Sequence, residues 1–159
     1  MQSHTSMFEE YKSRLFSYLM RMNGNYDLSQ DILQDTFRRY LEHYSSQDAS
    51  ASLLFTIARN ALIDHFRKNR SHSPLDEEQH HDHGKNAEQH VLIKESYRRM
   101  LQALNILPEE EREVLSLAVS SELPYSEIAS IMNLTEANVK VKIHRARQKL
   151  KEILQGGQP

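Results

Sequence analysis

The chain of 159 residues contains no cysteine and no tryptophan, and only four glycines and four prolines. Without cysteine, disulfides, thiolate nucleophiles and thiolate metal ligands are all excluded. Four glycines leave little room for a glycine-rich phosphate loop, and neither G-x-S-x-G nor H-E-x-x-H occurs. The sequence therefore predicts a protein that is not an enzyme and that needs no cofactor.

Long apolar runs are also missing from the sequence. No stretch of about 18 apolar residues occurs, and the N-terminus has no basic segment followed by an apolar run. We therefore expect a soluble cytoplasmic protein with no direct membrane insertion. Hydrophobic residues make up 38% of the chain, which is enough for one ordinary domain or two small ones.

Hydrophobic residues recur at steps of three and four, and no strand pattern occurs. This period predicts helices at residues 7–22, 27–44 and 53–70, the second opened by a capping box of Asp27 and Gln30. The apolar stripe of the third helix consists of Leu53, Leu54, Ile57, Ala58, Leu62, Ile63 and Phe66. The predicted fold class is all-α, with two small helical domains.

Residues 71–90, "SHSPLDEEQHHDHGKNAEQH", interrupt the helical period with five carboxylates, one lysine and almost no large apolar residue. Such a segment cannot bury enough surface to offset its ordering entropy, so we predict a flexible acidic linker between domains at 1–70 and 91–159. Its histidines with Asp82 could bind zinc, nickel or copper. A segment without a scaffold does not fix coordination geometry, so a solvated linker without a metal site is favoured over this alternative. The histidines concerned are His72, His80, His81, His83 and His90.

The helical period resumes after the linker. Pro108 and three glutamates open a helix that runs to about Val119. A short helix at 125–132, a turn at Asn133 and a last helix capped by Thr135 then have the lengths of a helix-turn-helix.

The last helix has two different faces at about 100° per residue. Val139, Ile143, Ala146 and Leu150 form a buried stripe. The opposite face and its flanks present small, polar and cationic side chains, which is the combination that reads base edges and neutralises phosphates in a major groove. The alternative is a solvated basic helix. The face and flanks comprise Ala137, Asn138, Lys140, Val141, Lys142, His144 and Arg145.

The end of the third helix is a second basic element. Asn60 and Asp64 lie one turn apart and could hydrogen-bond unpaired bases, while Arg67, Lys68 and Arg70 could hold a nucleic-acid backbone. A C-terminal basic cluster also complements the helix dipole without any ligand, and the residues alone do not decide between the two.

The second helix contains "DILQDTFRRY", residues 31–40, which places Asp27, Asp31 and Asp35 on one acidic face. Without further context, such a row is most simply a solvated helix face.

The order of four motifs resembles that of group IV sigma factors, the extracytoplasmic-function (ECF) type. The motifs are "DILQDTF", "LLFTIARNALIDHFRKNR", "LPEEEREVLSL" and "YSEIASIMNLTEANVKVKIHRARQKL", and together they span nearly the whole chain. The resemblance implies a sigma factor that binds core RNA polymerase and directs promoter-specific initiation.

The resemblance also implies roles for individual residues. Asp31, Gln34, Asp35 and Arg38 would dock on the clamp coiled coil of the largest polymerase subunit, and the flap region would be a further polymerase contact. Asn60, Asp64, Arg67, Lys68 and Arg70 would recognise the opened minus-ten element. The helix-turn-helix would read the minus-thirty-five element through Lys140, Val141, His144 and Arg145.

Two positions depart from the family pattern. Leu53 stands where the family usually has tryptophan, and Pro124 replaces the usual serine or threonine before the first helix of the helix-turn-helix. A phosphate contact at that helix start would move to Tyr125 or Ser126.

The resemblance further implies control by an anti-sigma factor. Two other functions are alternatives to a sigma factor. One is a helix-turn-helix regulator that binds its operator unaided, with residues 1–70 as a sensing or dimerising domain. The other is a metal-responsive protein built on the histidines.

Overall fold

The structure, a computed structural model, describes residues 4–69 and 95–156. These ranges contain helices and no strand, which confirms the predicted all-α class. The elements are α1 (His4–Asn23), α2 (Tyr26–Arg39), a π-helical turn (Tyr40–Tyr44), α3 (Ala51–Asn69), α4 (Glu95–Ile106), α5 (Glu109–Ser120), α6 (Tyr125–Met132) and α7 (Glu136–Gly156). The predicted linker, its histidines and Arg70 lie outside the described residues. None of the described helices is long and apolar enough to span a membrane.

The junction between α1 and α2 is set by glycine and asparagine. Gly24 has φ +68°, which favours glycine, and it follows the last residue of α1. The Asn25 side chain accepts a hydrogen bond from the Leu28 N–H at 3.0 Å and is the N-cap of α2. The predicted capping box at Asp27 is therefore wrong, because Asp27 lies inside the first helical turn.

The helix-turn-helix forms where the sequence predicts it. Asn133 ends α6 in the left-handed region at φ 57°, and the Leu134 N–H donates to the Ala129 carbonyl at 2.9 Å. Thr135 caps α7 by accepting a hydrogen bond from the Asn138 N–H at 3.1 Å. The predicted turn and cap are both confirmed.

The helices form two halves, α1 to α3 and α4 to α7. The buried side chains of both halves form one hydrophobic cluster. Tyr18 of α1 and Phe55 of α3 are fully buried, with ring centroids 5.7 Å apart in an edge-to-face arrangement. Helix α1 packs on α4 and α5, and α3 packs on α6. Helices α1 and α3 are thus in direct contact with the helices of the second half.

Tyr18 gives the fold a measurable response to high pH. Burial, and then the nearby Glu113 carboxylate, raises the pKa of the Tyr18 phenol well above its ordinary value. The folded phenol therefore keeps a proton that the unfolded phenol loses, so stability falls as the pH rises above about 10. We expect the stability of Tyr18→Phe to fall less steeply with pH than that of the wild type, when urea unfolding midpoints are measured between about pH 9 and pH 11. Equal slopes in both proteins would contradict this assignment.

Candidate nucleic-acid and polymerase interfaces

The outward face of α2 carries all four side chains that the family resemblance assigns to polymerase binding. Asp31, Gln34 and Arg38 are exposed and Asp35 is half-buried, while Ile32, Leu33 and Thr36 face the core. The Arg38 guanidinium pairs with the Asp35 carboxylate and, at 2.9 Å, with Glu42. The face is therefore an ordered set of charges on a rigid helix.

The outward face of α3 consists of Asn60, Ile63 and Arg67, which fall within about 60° of one another opposite the buried stripe. Asn60 and Arg67 are exposed, and so are two apolar residues, Ile63 at 37% and Phe66 at 45%. The helical period groups Ile63 and Phe66 with the core residues on one apolar stripe. Ile63 lies about 80° from the buried Phe55 around the helix, and this angular displacement is the signal that could have separated it. Phe66 lies within about 20° of Phe55, so the helical repeat alone does not indicate its exposure.

Asp64 and Lys68 lie on the edge of α3 that faces α2. The Arg39 guanidinium donates from Nη1 to Asp64 Oδ2 at 3.0 Å and from Nε to Asp35 Oδ2 at 2.9 Å. An open cavity of about 230 Å³ lies beside this bridge, and Asp31 and His65 contribute to its lining. The predicted polymerase face and the predicted minus-ten residues therefore share one guanidinium, a link that no sequence motif indicates.

This polar cluster is not arranged as a metal centre. No group of three or more histidine, aspartate or glutamate side chains within residues 4–69 and 95–156 could hold a metal ion.

The outward face of α7 presents most of the predicted groove-reading side chains. Val139, Ile143 and Ala146 are buried, as predicted, and Leu150 is half-buried. Lys142 lies to one side, with its Nζ 2.5 Å from Glu110 Oε1 and its side chain only 21% exposed. Lys149 pairs with Glu111 of the same helix α5 at 2.8 Å. The exposed residues are Ala137, Asn138, Lys140, Val141, His144 and Arg145.

The start of α6 lies beside this face. Pro124 precedes the helix, Tyr125 is half-buried and Ser126 is exposed.

Comparison with known proteins gives these faces a family context. The family model for sigma-70 region 2 matches residues 7–72, and the model for sigma-70 region 4 matches residues 97–150. The ECF RNA polymerase sigma factor SigM of Bacillus subtilis is 34% identical over 154 residues, covering 95% of this chain and 94% of SigM. SigW of the same organism is 30% identical, covering 91% of this chain and 84% of SigW.

The chain belongs to the ECF family of RNA polymerase sigma factors. The resemblance seen in the sequence is confirmed. This sigma factor acts in promoter-directed transcription initiation, with core RNA polymerase and promoter DNA as its partners. The family is not a class of enzymes.

Solved structures share the fold of this sigma factor. The sigma factor RpoE of Bartonella quintana, in complex with the anti-sigma factor NepR, has a TM-score of 0.73 at 21% identity, covering 95% of this chain and 96% of RpoE. CnrH, in complex with the cytosolic domain of CnrY, also has a TM-score of 0.73, at 20% identity, covering 98% of this chain and 89% of CnrH.

The two family matches assign the exposed faces of this sigma factor to different regions of the sigma-70 family. The region 2 match contains α2 and α3, and the region 4 match contains α6 and most of α7. Family membership argues against the two alternatives, a stand-alone regulator and a metal-responsive protein.

Proposed function

We propose that residues 1–70 bind core polymerase and the minus-ten element, that residues 71–90 link the domains, and that residues 91–159 bind the minus-thirty-five element. The observation that carries this proposal is the exposure of three chemically different faces, on α2, α3 and α7, each opposite a buried stripe.

The α2 face is the proposed polymerase contact. Asp31, Gln34, Asp35 and Arg38 would dock on the clamp coiled coil of the largest subunit, while the second domain meets the flap region. Carboxylates and an arginine on one rigid face suit a charged, complementary partner surface. The intramolecular pair between Arg38 and Asp35 keeps both groups oriented before docking.

The α3 face is the proposed minus-ten contact. Asn60 and Asp64 offer hydrogen-bonding groups to bases, and Arg67, Lys68 and Arg70 hold the backbone. We add Ile63 and Phe66 to this site, because both are exposed and an aromatic ring next to a cation such as Arg67 is a stacking platform for unpaired bases. Leu53, which stands where the family usually has tryptophan, is half-buried and contacts the core.

The α7 face is the proposed minus-thirty-five contact. Its base-reading centre is Val141, His144 and Arg145, with Ala137, Asn138, Lys140 and Lys142 around it, and Tyr125 and Ser126 approach a phosphate from the start of α6. Lys142 would have to leave Glu110 to reach DNA.

A transcription assay tests the whole proposal. Purified core polymerase and a library of promoter fragments are incubated with and without the protein, and the transcript starts are sequenced. We expect defined starts that need the protein, and loss of core affinity in Asp35→Ala with the fold intact. No starts, together with a specific duplex shift by the protein alone, would restore the stand-alone regulator.

Arg39 should act as a positioning residue, because it holds the Asp64 carboxylate from α2. We expect Arg39→Gln to lower promoter-dependent initiation several-fold at saturating core enzyme, with less than about 1 kcal/mol lost from stability, since the pair is partly solvated. Arg38→Gln is the comparison: it should weaken core binding and leave initiation at saturation unchanged. If Arg39→Gln and Arg38→Gln were both impaired in core binding, or both in initiation at saturation, the separate roles of the two arginines would be contradicted.

The structural neighbours, each in complex with another protein, motivate a proposal about control. We propose that an anti-sigma factor binds this protein. We further propose that the protein acts in the cytoplasm and catalyses no reaction. Purification from native cells should recover such a partner in stoichiometric amount, and repeated recovery of the protein alone would contradict control of this kind.

A further inference from the structure

The contact between the two halves is centred on one buried carboxylate. Glu113 of α5 is 7% exposed. Its Oε2 accepts a hydrogen bond from the Tyr18 hydroxyl at 2.8 Å and another from Arg59 Nε at 2.8 Å. Both donors belong to the first half, Tyr18 to α1 and Arg59 to α3. Because a buried carboxylate needs such partners, the Glu113 charge favours keeping the halves together.

Further polar contacts surround Glu113. Arg21 Nη1 donates to Ser120 Oγ at 2.9 Å, and Arg112 Nη1 donates to the Met22 carbonyl at 3.1 Å. The Arg14 guanidinium donates to the carbonyls of Ser120 and Ser121, at the C-terminal end of α5, where a cation also complements the helix dipole. The contact is thus specific as well as apolar.

This contact cannot persist when both promoter elements are occupied. The two elements lie about 25 base pairs apart, on the order of 85 Å of duplex at about 3.4 Å per base pair. In the structure, Arg59 of α3 touches Glu113, and α3 packs on α6, the first helix of the helix-turn-helix. Simultaneous engagement therefore requires the Arg59–Glu113 pair to break.

Once the Arg59–Glu113 pair has broken, the Arg59 guanidinium lies close enough to the outward face of α3 to contact DNA there. It directly precedes Asn60 and lies at the edge of the outward face of α3, within about 20° of Phe66 around the helix. A guanidinium binds a phosphate with the same charge-assisted hydrogen bonds that it makes to a carboxylate.

We propose that Glu113 masks Arg59, a further promoter-contacting residue, in the free protein, by occupying the place that a DNA phosphate takes after the halves separate. This inference rests on the proposed function in assigning α3 to the minus-ten element and the helix-turn-helix to the minus-thirty-five element.

The first test measures the separation of the halves in the full chain. Since the chain has no cysteine, dyes attach only at the introduced positions Ser46→Cys and Glu152→Cys, both exposed. We expect high energy transfer in the free protein, lower transfer on adding core polymerase, and lower transfer in free Glu113→Gln. Glu113→Gln should also raise the apparent affinity for core by the factor by which it raises the open fraction. The matched control is Glu109→Gln, an exposed glutamate on the same helix, which should change neither quantity.

The second test concerns Arg59 itself. On a promoter fragment selected by the transcription assay, Arg59→Gln holoenzyme should show a shallower dependence of log affinity on log salt. The expected decrease is about 0.7–0.9 in slope, the value for one phosphate contact. Glu113→Gln holoenzyme should keep the wild-type slope, because its halves are already apart.

The outcomes separate this inference from the proposed function. Failure to bind core polymerase would overturn the proposed function. Binding with unchanged energy transfer, or an unchanged salt slope in Arg59→Gln, would overturn the masking of Arg59 alone. If Glu113→Gln does not fold, Tyr18→Phe removes one of the two donors to Glu113, and it should lower transfer in the free protein; unchanged transfer there would also overturn the inference.

Discussion

Phe55→Ala is expected to destabilise the protein by about 3–5 kcal/mol, the usual cost of deleting a buried phenylalanine ring. Phe55 is fully buried and packs edge-to-face on Tyr18, beside the contact between the two halves. For a chain of this size, the melting temperature should fall by about 6–20 °C, measured by thermal circular dichroism. A shift of less than a few degrees would show that the surrounding helices close over the space.

Phe66→Ala is the matched control, because it makes the same change on the same helix at a side chain that is 45% exposed. We expect less than about 1 kcal/mol lost from stability. The proposed stacking role predicts a different defect, because base stacking on an aromatic ring contributes about 1–3 kcal/mol. Promoter opening, followed by permanganate reactivity of unpaired thymines, should therefore decrease. Normal opening with Phe66→Ala would remove the ring from the minus-ten site.

The helices and most of their inner and outer faces could be predicted from the sequence, because period and capping are local properties. Thr135 as the cap of α7 and the turn at Asn133 follow from side-chain chemistry within four residues. The stripe of Val139, Ile143 and Ala146 follows from the helical repeat alone.

The remaining features depend on contacts between residues far apart in the sequence. Arg39 reaches Asp64 across 25 positions, and Arg59 reaches Glu113 across 54. The capping prediction at Asp27 was wrong for a different reason. Asn25, two residues before Asp27, accepts the hydrogen bond from the first-turn N–H of Leu28. A pattern of charges cannot indicate which opposite charge lies across a helix pair, so these pairings appear only in three dimensions.

Arg145→Ala is expected to weaken binding to the minus-thirty-five element by about 1–3 kcal/mol, if its guanidinium makes a bidentate contact to a base. Arg145 is exposed on the outward face of α7, while the helix is held to α5 by its lysine–glutamate pairs. The measurement is holoenzyme affinity for a selected promoter and for single-base variants of its upstream element. A bidentate contact predicts that the loss disappears at one variant base pair, because that variant has already lost the contact in the wild-type complex.

Two lysines of the same helix provide the comparison for Arg145. Lys140 is exposed, so Lys140→Ala should weaken binding evenly across sequences and reduce the salt slope by about one. Lys142 is held by Glu110, so a phosphate contact would require that pair to break, and Lys142→Ala should have a smaller effect. Glu110→Gln distinguishes the cases, because releasing Lys142 should strengthen DNA binding only if its ammonium can reach a phosphate. A sequence-selective loss in Lys140→Ala would instead show that Lys140, and not Arg145, reads a base.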